Sequence, residues 1–139
     1  MKQKDKELLL KDLSARLPYH VVVSTGEDNL ELVKVDILNE IVYLFSESFL
    51  EFDVSEIKPY LRPLSSMTKE EVDGFFAAGN KDMDILENAL SHEPIITFGS
   101  KIHHGGITYN EVDYLLAHHF DFRGLIPLGL ALEAPKGMY

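Results

Sequence analysis

The sequence predicts an α+β fold: an N-terminal helix, a small antiparallel sheet at about residues 19 to 64, and helices at about 68 to 139. Three observations predict it. Leu9, Leu10, Leu13 and Leu17 recur at helical spacing near the start. Short β-branched and aromatic runs broken by turn residues follow. Two Thr-x-x-Glu signatures, Thr68–Glu71 and Thr108–Glu111, then announce helix starts.

The first helix should span Lys4 to Leu17, because Pro18 lacks the backbone donor needed to continue it. Tyr19 to Thr25 (YHVVVST) is β-rich and stops at GEDN. Leu30 to Leu38 alternates apolar and polar residues, but its phase slips by one at Leu32–Val33, which predicts a bulge or a strand that changes faces. Asn39-Glu40 makes a tight turn without the usual glycine. Ile41 to Phe45 and Phe49 to Val54 complete a four-strand meander. The strands are short, sequential and phase-shifted, so an SH3-like roll and an open sheet backed by helices both fit.

In IKPYLRPLSSM, Pro59 and Pro63 each remove a donor, which predicts an edge strand or a polyproline-like run. The Thr68 box opens a helix through about Ala78, broken by Gly79-Asn80. Asp82 to Leu90 suits another helix, Ile95 to Phe98 a brief strand, and GSKIHHGG a glycine-rich loop. The Thr108 box opens a helix to about His119. The tail GLIPLGLALEAPKGMY is apolar and interrupted by glycine and proline, so it should pack as turns and a short strand or helical turn over the core. Neither an internal repeat nor a linker divides residues 1–139, which read as a single α+β domain.

At 139 residues the chain can bury a core without a covalent staple. It has no cysteine, which excludes disulfides, thiolate metal sites and cysteine nucleophiles. MKQKDKELLLKDL is neither a signal peptide's apolar core nor a membrane span, so the expected setting is cytoplasmic, with no membrane partner. The formal charge is −10, unevenly spread. Residues 1–16 carry five Lys/Arg against three Asp/Glu, a net of +2. Residues 27–56 carry nine acids against Lys34 alone, a net of −8. A surface of that sign repels phosphate backbones and suits a basic protein partner, or is simply a solvated face.

The histidines come as doublets. On a wheel of about 100° per residue, Val112, Leu115, Leu116 and His119 share one stripe, while His118 falls beside Glu111 and Tyr114. Adjacent helical residues diverge and cannot chelate one ion as an i, i+4 pair would. His119 should therefore end a core stripe, and His118 should sit at the surface near the helix C-terminus. Asp121 and Arg123 can bond free carbonyls or each other where the chain turns. A zinc site assembled from His103 or His104 with His119 and Asp121 has acceptable ligand types but no supporting spacing, so no metal and no cofactor are assigned. His20 and His92 are isolated.

GxxxxGK[ST], GxGxxG and GxSxG are all absent, Ser65-Ser66 precede a helix where caps belong, and no catalytic residue is assigned. The segment KPYLR is a better binding candidate. If it is extended, Ile57, Pro59, Leu61 and Pro63 point one way and Lys58, Tyr60 and Arg62 the other. Two cations around one ring could receive a carboxylate, a phosphate or a stacked base, or could simply answer the acids of neighbouring strands.

At LPYHVVV, IKPYLRPLSSMT, HHFDFRGLI and GLALEAP the chain resembles small uncharacterised proteins recurring in Bacteroidales genomes, prophages and mobile elements. The resemblance covers most of the chain and is weakest between about Phe75 and Gly105. It implies an intracellular bacterial or phage setting and carries over no catalytic residue. The candidate binding residues are Lys58, Tyr60, Arg62, His119, Asp121 and Arg123, with fold maintenance as the competing explanation. The expected function is a non-catalytic protein-binding or adaptor protein. The alternatives are a nucleic-acid-associated regulator working through Lys58, Tyr60 and Arg62, and a small histidine-dependent metalloenzyme.

Overall fold

The structure, a computed structural model, describes residues 1–78, 94–98, 101–104 and 108–139. Helix α1 spans Gln3–Arg16, and a 3-10 turn, Leu17–Tyr19, carries Pro18 in its first positions, as the missing donor requires. Strands β1 (Val22–Ser24), β2 (Asn29–Asp36), β3 (Ile41–Phe45) and β4 (Phe49–Asp53) form the expected meander, each antiparallel to the next. The phase slip at Leu32–Val33 is a β-bulge. Leu32 pairs with Leu44, Lys34 pairs with Tyr43, and Val33 between them has no partner residue. The β2–β3 turn does without glycine. Asn39 donates its backbone N–H to Asp36, and Glu40 takes a left-handed backbone.

Strand β5 (Lys58–Pro63) is extended as expected, with Pro59 and Leu61 buried and Lys58 exposed. It is not an edge strand. Val23 and Ser24 of β1 pair with it antiparallel. Two short strands, β8 (Phe120–Asp121) and β9 (Leu132–Glu133), pair with it in parallel on opposite sides, since Arg62 N donates to His119 O while Leu61 O of the same peptide unit accepts from Ala134 N. Each of these ladders joins only two residue pairs, so two prolines can sit in the strand without breaking a long ladder. The sheet is consequently mixed rather than wholly antiparallel, in the order β4-β3-β2-β1-β5-β8 with β9 also on β5. No ladder among the described residues joins β4 to β8, so nothing described closes the sheet into a roll.

Helix α2 (Lys69–Ala78) starts at its capping box: Glu71 N donates to Thr68 Oγ1 at 3.2 Å, and Thr68 N donates to Glu71 Oε1 at 3.0 Å. Strands β6 (Pro94–Phe98) and β7 (Lys101–His104) form a separate hairpin, so the part of GSKIHHGG expected as loop is a strand at residues 101–104. The helix expected at Asp82 to Leu90 and the Gly79-Asn80 break lie outside the described residues, as do His92 and the side chains of His103 and His104. Helix α3 (Tyr109–Ala117) is capped by Thr108 and Glu111. It stops at Ala117, short of the expected His119.

Two cores hold these elements. In the first, Leu9, Leu10 and Leu13 of α1 pack on Val23, Leu32, Val42, Leu44 and Leu61 of the sheet, with Leu125, Leu130 and Ala131 of the tail closing over them. The second joins Val72, Phe75 and Phe76 of α2 to Leu115 and Phe120. The fold is α+β, and no helix among the described residues is long and apolar enough to cross a membrane.

Candidate functional site

The two segments singled out in the sequence meet. Strand β5 lies parallel to β8, with Arg62 opposite Phe120 and Pro63 opposite Asp121, and Arg62 N donates to His119 O at 2.8 Å. What they form is a joint whose charges answer each other. Arg62 bonds Glu71 through two parallel contacts, Nη1 to Oε2 and Nη2 to Oε1, both 2.7 Å. Its guanidinium also lies 4.3 Å from the Phe120 ring centroid. This fork holds the Glu71 carboxyl down at about 2, because the paired ion is far better stabilised than the neutral acid. Glu71 thus serves the helix cap and the strand together.

Asp121 and Arg123 do not bond each other. Asp121 is buried, and its two oxygens accept from Leu125 N at 2.8 Å and Ile126 N at 2.9 Å, which fixes the turn after β8. Arg123 Nε donates to Asp12 Oδ1 at 3.1 Å. Asp12 also takes Arg16 Nε at 2.6 Å, and Arg16 Nη2 reaches Phe120 O at 2.8 Å. Both Asp12 and Arg16 are fully buried. Sequence reasoning missed this pair. Its signal was the i, i+4 spacing of opposite charges beside the leucine stripe, a pattern that solvated helix faces share.

His119 leaves the helix instead of ending its stripe. It takes φ 64°, a left-handed backbone at the position where helices usually place glycine. The ladder bond to Arg62 and a stack on Tyr139, with centroids 3.6 Å apart, hold it there. Tyr139 went unnoticed in the sequence, where no local pattern marks it. Its hydroxyl donates to Tyr60 O at 2.8 Å and accepts from Val22 N at 2.9 Å, tying the tail to two strands. Tyr139→Phe should lower stability by about 1 kcal/mol, read as a shift in urea midpoint, because both backbone groups lose a partner. Of the remaining candidates, Tyr60 is half-buried and Lys58 stands exposed on β5. His118 caps α3, lies tilted by 30° against the Tyr114 ring with centroids 4.2 Å apart, and is 3.7 Å from Glu71.

Burial, and then the charge of Arg16, lower the His119 imidazole to about 4. The folded chain therefore keeps His119 neutral at pH values where the unfolded chain, near 6.5, takes up a proton. Stability from this residue is complete above about 6.5 and declines as pH falls towards 4, by roughly 2 kcal/mol once partial exposure is allowed for. His119→Asn, which tolerates the left-handed backbone, should flatten that part of the profile in pH-dependent urea melts.

Beside the joint lies a cleft of about 530 Å³, lined by Arg62, Ser66, Thr68, Glu71, Lys136 and Tyr139 among others. Its ion pair is self-satisfied, and Ser66 Oγ donates to the Pro63 carbonyl at 2.7 Å rather than to a side-chain base. Among the described residues no group of three or more His, Asp or Glu side chains is placed to hold a metal.

The open face of the meander is different in kind. At the bulge lies a hollow of about 410 Å³ lined by Val33, Lys34, Tyr43 and Phe49. Phe49 is 69% exposed and Phe45 47%, with their ring centroids 5.6 Å apart. Glu51 accepts from the Tyr43 hydroxyl at 2.9 Å, and Lys34 lies 4.9 Å from the Tyr43 ring centroid. Register places Phe45, Phe49, Tyr43 and Glu51 on this face, opposite buried Val42 and Leu44. No protein-family model, curated protein or solved structure matches the chain.

Proposed function

We propose that this chain is a non-catalytic protein-binding module that engages its partner through the open face of the β1–β4 meander. The observation that carries this reading is the exposure of Phe45 and Phe49, paired across β3 and β4, inside a segment of net charge −8. Two large aromatic side chains held on rigid strands offer apolar area at little entropic cost, the usual make-up of an interface anchor. Acids around them select basic partners and speed encounter. A bacterial or prophage setting is the one the sequence resemblance implies.

The nucleic-acid alternative has weaker support. Arg62 is committed to Glu71 and Arg123 to Asp12, which leaves Lys58 as the exposed cation of the KPYLR face. Phosphate binding scales with the number of free cations brought to the backbone.

The test is site-specific photo-crosslinking in a Bacteroidales host, with benzoylphenylalanine at position 49 and, as control, at Lys69 on α2. A discrete protein adduct is expected from position 49 alone, and Phe45→Ser should abolish it. No adduct from position 49, or the same adducts from both positions, would remove the reading.

A further inference from the structure

We infer that the free edge of β4 accepts an extended segment of the partner, in which Lys or Arg alternates with apolar residues, as an added strand. This rests on the protein-binding reading above and specifies its occupant. Among the described residues β4 pairs only with β3, so Phe49 and Glu51 turn unladdered backbone donors and acceptors to the far side, while Asp53 N there is already taken by Glu56 Oε1 at 3.2 Å. The opposite end of the sheet, β8, offers only two residues. Of these two ends of the sheet, β4 is the longer template for an added strand.

The side chains along that edge specify the guest. Register puts Phe49, Glu51 and Asp53 on the open face, and Leu50 and Phe52 on the core face. Residues facing Glu51 and Asp53 would sit about 5 Å away, where a cation is favoured and an anion is not; Glu51 is the stronger selector, since Asp53 already accepts from Ser55 and lies 3.9 Å from Lys6. Between them, residues facing Leu50 and Phe52 would extend the rim of the core, where Leu50 is still 39% exposed. A bulky group facing Phe49 would pack on the outer side of its exposed ring. Period-2 alternation of basic and apolar residues follows from the pleat.

A second copy of the chain fits badly. Antiparallel self-pairing about Glu51 sets Glu51 against Glu51, and pairing about Leu50 sets Asp53 against Glu47. Like charges directly opposite destabilise a ladder. The acids that would attract a basic strand thus also guard the edge against its own kind.

The experiment is selection of a random dodecamer peptide library, displayed on phage, against the intact chain. Enriched peptides should alternate Lys or Arg with aromatic or β-branched residues. Resynthesised with N-methyl groups on alternate residues, which removes donors while leaving the protein untouched, the best peptide should lose at least tenfold in affinity in one of the two phases. Glu51→Lys, an exposed change, should cost at least tenfold as well. No enrichment, enrichment without alternation, or binding indifferent to both N-methylation phases would overturn strand addition. A persisting position-49 adduct would then leave the module reading standing, whereas loss of that adduct removes the module reading itself.

Discussion

Asp12→Ala should destabilise the fold by about 3–5 kcal/mol, a large part of the roughly 5–15 kcal/mol that holds a domain together. The carboxylate is fully buried and answers two guanidiniums, Arg16 at 2.6 Å and 3.2 Å and Arg123 at 3.1 Å. Without it Arg16 stays in the interior as an uncompensated charge, with the Phe120 carbonyl as its remaining hydrogen-bond acceptor among the described residues. Its Nη1 is already without a partner among the described residues. The three residues link α1 to the turn after β8, so the damage should reach both cores. A paired replacement separates charge burial from packing. Asp12→Leu with Arg16→Met removes both ions, and apolar exchange of a buried pair is often neutral, so the double variant should recover most of the loss. Urea unfolding followed by circular dichroism reads both. A single-variant loss under about 1 kcal/mol would mean that Asp12 is not a brace.

How much of this was legible beforehand depended on whether a feature is local. The bulge at Val33 was visible as a broken alternation, since a one-residue slip reverses the facing of every later side chain. The alternation from Ile57 to Pro63 and both Thr-x-x-Glu caps were visible for the same reason. The interior position of β5 was not. Its partners β8 and β9 are two residues each, too short to show a period, and lie far along the chain. The left-handed turn at His119 was hidden because histidine gives no glycine-like stop signal. The partners of the charged candidates are not legible either. Of Lys58, Tyr60, Arg62, His119, Asp121 and Arg123, the chain brings Arg62 against β8, and the groups that meet Arg62, Asp121 and Arg123 come from α2, backbone amides and α1. Periodicity reports which face a residue takes and is silent on which distant group will meet it.

Arg62→Ala brings the structural and binding accounts of that set into direct conflict. If the arginine is a joint, its loss strands the partly buried Glu71 carboxylate, breaks two 2.7 Å contacts and uncovers the Phe120 ring, for a cost of about 2–3 kcal/mol. Arg62→Lys should rescue little, because an ammonium cannot form the parallel fork or lie flat over the ring. The pH signature is specific. Glu71 is held near 2 in the fold against about 4.5 when free. Its stabilisation is therefore full above about 4.5 and is lost as pH falls towards 2. In Arg62→Ala the Glu71 titration should move up, and the acid limb of the stability profile should flatten between those values. If Arg62 instead served a nucleic acid, the variant would keep its stability and acid limb while losing a salt-sensitive gel shift. Urea melts across that pH range, run beside a gel shift at low salt, decide between the two. The bidentate geometry favours the melt moving and the gel staying still.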